Sequence, residues 1–169
     1  MTDVDVLPSD TSWLSEPTTS VHQFGGGSVQ PSERTLVVYG HEIRNLLILA
    51  ATEAEMHWRG ILIANGAPRT TKFSSNEYVK LVEPLKLRDY AINFYDFPDL
   101  PPFQPFAGWS REDPTDSLPW YAAYNGVKHN REDEFQRGTL RCAFEAVSAN
   151  IALLVAQSVA TPVALNEQL

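Results

Sequence analysis

Two long stretches in which apolar residues return every three or four positions leave this chain few folds to choose from. In the first, from about Val38 to Ala64, Ile43, Leu46, Leu47, Ala50, Ala54, Trp58, Ile61 and Leu62 keep helical spacing. Ile48 and Leu49 widen the stripe, which predicts a helix covered on more than one side. Asn65-Gly66 is a good stop, because both residues accept the left-handed conformation that ends helices. The second stretch carries Leu140, Ala143, Phe144, Val147, Ile151, Leu154 and Val155, and it should end near Val159, ahead of Pro162. Stripes of this kind must be buried against other elements. The expectation is a mainly α domain over residues 35–160, built as a helical bundle.

An irregular insertion at about 67–118 separates the helical parts. Ser74 followed by Glu77 reads as a capping box, so a helix should start at Ser75 and run to about Val82, ahead of Pro84. Tyr90 to Tyr95 is rich in aromatic and β-branched residues and predicts a short strand. Pro98, Pro101, Pro102, Pro105 and Pro114 then alternate with Phe97, Phe103, Phe106 and Trp109. Such a segment should lie across the helices and pack its rings on them; exposed, it would be a contact surface for a partner protein. Pro119 opens a further helix, with Asp116 or Ser117 as its cap and Trp120, Tyr124 and Val127 on one face.

Charge and the chain ends narrow the function classes. The 169 residues hold 13 bases and 21 acids, a formal charge of −8. Residues 1–34 hold one base and five acids, so −4 belongs to a segment rich in Ser, Thr, Pro and Gly that reads as a disordered acidic tail. Trp13, Leu14 and Phe24 are its apolar exceptions, and 161–169 reads as a C-terminal tail. The balance argues against coating duplex DNA by charge, yet it leaves room for one local phosphate site. The lone Cys142 excludes a disulfide within the chain. No secretory or transit pattern and no continuous membrane span are read, so the expectation is a cytoplasmic protein without a membrane partner.

The chemistry concentrates in Trp120-Tyr-Ala-Ala-Tyr124-Asn125-Gly-Val-Lys128-His129-Asn130-Arg131. Tyr121, Asn125, Lys128 and His129 project at three-to-four spacing beside the anchoring face. His129 sits at a helix C-terminus, where the dipole favours imidazolium. Histidine can move protons while lysine or arginine stabilises phosphate charge. The plain alternative is that these residues cap carbonyls and face water. Asn125 could instead bond across to the first helix, and Glu53 with Arg44 and Asn125 could form a buried polar network. Other sets are weak. Glu53 and His57 share a turn but have no third metal ligand at fitting spacing, so no metal is expected. Gly25 to Gly27 lacks the context of a phosphate loop, and no cofactor is expected.

The pattern Trp-x3-Tyr-Asn-x2-Lys-His-x-Arg, followed by Phe135 and a long Ala-rich helix, resembles the HEPN superfamily. The entry helix Tyr39-Gly-His-Glu42-Ile-Arg44-Asn-Leu-Leu resembles it too. Many HEPN proteins are dimeric, metal-independent ribonucleases of prokaryotic toxin and antiphage systems. Their signature is an arginine, four to six residues, then a histidine, often with a polar residue directly after the arginine. Here His129 matches the histidine and Asn125 the polar position, while Tyr124 stands where the arginine belongs. The resemblance implies a homodimer that binds or weakly cleaves RNA. His129, Asn125 and Arg131 would be its catalytic groups, and Lys128, Tyr124 and Tyr121 its substrate contacts. Tyrosine lacks the guanidinium charge, so strong cleavage is not expected. The other reading is an inactive helical module that dimerises or holds a partner protein.

Overall fold

A computed structural model describes residues 29–159, apart from Thr71 and Arg131. Most of the tail read over 1–34, the tail over 161–169 and the position of Arg131 therefore lie outside the described residues. The last residues of the first tail are described: Ser32 precedes a 3-10 turn at Glu33–Thr35, held by Thr35 N–H to the Ser32 carbonyl at 3.0 Å.

Helix α1 spans His41–Ala64, α2 Ser75–Tyr78, α3 Pro119–His129 and α4 Leu140–Val159. The fold is mainly helical, as the periodicity predicts. Helix α1 ends at Ala64, and Gly66 takes φ of 96°, the left-handed geometry expected of the Asn65-Gly66 stop. Helix α2 begins where the capping pair predicts. The Glu77 carboxylate accepts the Ser74 N–H at 2.8 Å, and the chain continues as a 3-10 turn through Leu81. Neither Asp116 nor Ser117 caps α3. Leu118 holds that position, because Ser117 turns its hydroxyl to accept the Ser110 N–H at 3.0 Å.

Helices α1 and α4 run parallel. Asn150 Nδ2 donates to the Ala50 carbonyl at 2.8 Å, and Gln157 meets His57 at 3.1 Å, so the register advances in the same direction on both. At their start the carbonyls of Val38 and Leu36 accept the N–H groups of Leu140 and Arg141 at 2.8 and 2.9 Å. These bonds satisfy donors that a helix N-terminus leaves open. Buried alanines make the close approach possible: Ala50, Ala51 and Ala54 on α1, with Ala143, Ala146, Ala149 and Ala152 on α4. Helix α4 is long and apolar enough to cross a membrane by length and composition; here its alanine face is buried in the bundle.

The insertion packs as its rings predict. Trp58 of α1 is fully buried, with ring centroids 5.0 Å from Tyr78 and Trp109, 5.9 Å from Trp120 and 6.2 Å from Phe106. Trp109 and Trp120 donate their indole N–H groups to the carbonyls of Pro114 and Pro105, at 2.8 and 2.9 Å. A second cluster stacks Phe103 on Phe144 at 5.4 Å, with Phe94 edge-on. Tyr90 to Tyr95 forms no strand. It contributes one antiparallel bridge, Ile92 to Phe103, because the prolines that follow deny it a longer ladder. Within the insertion Phe103, Phe106 and Trp109 are buried, whereas Tyr95 is exposed.

The described residues do not cover helix α1 all round. Ile48 is half-buried, but Leu49 and Met56 are each 62% exposed, and Leu46 is also exposed. Helices α3 and α4 together with the insertion cover the Trp58 side and leave this one open.

Candidate functional site

Helix α3 runs back along α1, and its polar residues divide between inside and outside. Tyr124 is 1% and Tyr121 4% exposed. Both phenols reach Glu55 of α1. Tyr121 donates to Glu55 Oε1 at 2.6 Å and Tyr124 to Oε2 at 3.2 Å. The Lys128 ammonium donates to the Tyr124 hydroxyl at 2.6 Å and lies 4.8 Å from the centroid of its ring. A chain of bonds thus runs from Lys128 at the surface through Tyr124 to Glu55. One turn separates Tyr124 from Lys128, which is the spacing that lets the lysine fold back along the helix.

The electrostatics follow from this chain. Its bond to Tyr124 holds the Lys128 ammonium above its ordinary pKa, outweighing partial burial. Burial, reinforced by the bond to the Glu55 carboxylate, pushes the Tyr121 phenol far above its usual 10. Tyr121 and Tyr124, expected as substrate contacts, therefore face inward. The seam between α1 and α3 is their place, because their rings fill it and their hydroxyls pair there.

Lys128 and His129 are exposed at the C-terminal end of α3. Asn125 is half-buried, and no hydrogen bond joins its side chain to α1 among the described residues. The anticipated network of Glu53, Arg44 and Asn125 does not form. Glu53 is exposed, and the Arg44 guanidinium bonds to Asn45 at 3.0 Å and lies over Phe135. The carboxylate that matters is Glu55, two residues on. Glu55 and Trp58 lie three apart and so share one side of α1, the side that α3 covers. Nothing local distinguished Glu55 from Glu53 without knowing where α3 would lie.

The loop after α3 closes against the helix. A methyl group on Gly126 would come within 2.9 Å of Glu134 Oε2, so the absence of a side chain there admits the Glu134–Arg137 ion pair at 2.8 Å. Likewise, a methyl group on Gly138 would lie 3.4 Å from Val127 and 3.6 Å from the Arg44 Cβ. The end of α3 and the start of α1 are therefore neighbours. A depression of about 530 Å³, lined by Asp116, Pro119, Ala122, Ala123, Arg137, Thr139 and Cys142, opens on another face of α3. Burial raises the Cys142 thiol pKa, which works against a thiolate nucleophile there. No group of three or more metal-binding side chains occurs among the described residues.

Comparison with known proteins finds no matching family model, no matching curated protein and no matching solved structure.

Proposed function

We propose that this is an HEPN-like helical protein that binds RNA through the end of α3 and cleaves it weakly at most, in a prokaryotic toxin or antiphage setting. The carrying observation is the exposed pair Lys128 and His129, with the lysine tied by its ammonium to Tyr124. A fixed cation beside an imidazole suits a phosphodiester. Arg131 follows two residues later in the sequence and would add a second cation. The cleavage step is attack of a ribose 2′-oxygen on the adjacent phosphorus as its proton passes to His129; the P–O5′ bond breaks, leaving a 2′,3′-cyclic phosphate, and the departing 5′-oxygen takes up a proton as a 5′-hydroxyl. Tyr124 supports weak chemistry, since a buried phenol replaces the guanidinium of the family signature. The test is RNA binding and digestion in EDTA by wild type and His129→Ala. Binding with slow, EDTA-resistant cleavage that His129→Ala abolishes is expected. Undiminished cleavage by that variant removes His129 from the mechanism.

A second reading, the interaction module, draws on the open apolar side of α1 and α4. Leu46, Leu49 and Met56 on α1 are exposed, as are Leu154 and Val155 on α4. Because the helices run parallel through the Ala50–Asn150 contact, these residues fall on one side of the pair. A face of this kind suits a second copy of the chain. Sedimentation of wild type and Leu49→Arg tests it: a dimer that the arginine splits is expected, and a monomeric wild type rejects it.

A further inference from the structure

We propose that Glu55 and Tyr124 are positioning residues for RNA binding: they hold the Lys128 ammonium where a phosphodiester can meet it. This rests on the RNA-binding reading above. Lysine is a poor phosphate ligand when its long stem swings freely, because each contact must first freeze that stem. Here the stem is already folded back. One of the three N–H donors goes to the Tyr124 hydroxyl at 2.6 Å, and among the described residues the other two have no partner, which leaves them for an anion.

The tether depends on Glu55. A phenol has one proton, and Tyr124 spends it on Glu55 Oε2, which leaves its oxygen free to accept from Lys128. The carboxylate is held in turn by Tyr121, which donates to Oε1 at 2.6 Å. Donors therefore point in one order, from Lys128 to Tyr124 within α3 and from Tyr124 across to Glu55 of α1. Glu55 never touches the ligand. It acts through Tyr124 from the far side of the seam.

A double-mutant cycle separates positioning from mere support of the fold. Binding of a fluorescein-labelled single-stranded RNA oligonucleotide is followed by anisotropy across a salt series. Lys128→Ala should lower affinity about tenfold and reduce the salt slope by about one, the signature of a lost phosphate contact. Tyr124→Phe should lower affinity about threefold with the slope unchanged, because the lysine keeps its charge and loses only its anchor. In the Lys128→Ala background, Tyr124→Phe should have no further effect. Glu55→Leu should repeat the pattern; if that variant fails to fold, Tyr124→Phe carries the test alone. An equal loss from Tyr124→Phe in both backgrounds, or no loss in either, overturns the positioning role and leaves RNA binding standing. Failure of the wild-type protein to bind RNA overturns both.

Discussion

Trp58 and Glu55 lie one turn apart on α1 and both face α3, yet they hold the two helices together by opposite means. Around Trp58 the contact is aromatic and dry. Rings from α2, the insertion and α3 surround it, and its own indole N–H finds no acceptor among the described residues. Around Glu55 each phenol has its partner, and the chain of bonds ends at an exposed lysine. The aromatic hub tolerates one unpaired donor because buried area dominates its energy. The polar seam has no such reserve: its phenols are worth little when paired and are costly when left unpaired. One part of the interface therefore supplies stability, and the other fixes a geometry at the surface.

The largest break of this contrast is Trp58→Ala. Removing the hub should cost about 3–5 kcal/mol in denaturant unfolding, in line with large-to-small changes in packed cores. A cost below about 1 kcal/mol would mean that the insertion does not close over α1 as described. Tyr121→Phe should cost less, about 1 kcal/mol, since it removes one hydrogen bond and keeps the ring in place. A loss as large as that of Trp58→Ala would erase the distinction between the two regions.

The smallest effect is one of pH. The Tyr121 pKa in the folded state is raised above its usual 10. Its stabilising contribution is thus fully present below pH 10 and is lost as pH rises from there toward the folded value. Chemical denaturation of wild type should show falling stability above about pH 10. Tyr121→Phe should flatten that fall; Tyr78, whose phenol burial also raises, accounts for part of what remains. Identical slopes for both proteins would deny the Glu55–Tyr121 pairing.

Much of the frame was legible in the chain. The spacing in α1 and α4, the Asn65-Gly66 stop, the Ser74–Glu77 start and Pro119 at the head of α3 all rest on local rules of backbone and side-chain geometry. The packing of Phe106 and Trp109 onto α1 was legible too, because so many rings cannot stay in water. The expected strand failed because a ladder needs a long partner, and a proline-broken segment offers a single bridge. Leu46 and Leu49 were misplaced for a related reason. A stripe shows which residues are apolar, whereas neighbours decide which of them are covered.

The same divide runs through the candidate site. Sequence alone determined that Tyr121, Tyr124, Asn125, Lys128 and His129 ride one helix at spacings of a turn or less, because an α-helix repeats every 3.6 residues. Only the tertiary structure decided that the two tyrosines turn inward while Lys128 and His129 stay out. It also chose Glu55 over Glu53. Two carboxylates two residues apart point to different sides of α1, and which one meets a phenol depends on where α3 crosses. That crossing is set by the alanine contact of α1 with α4 and by the rings around Trp58, contacts between residues far apart in the chain.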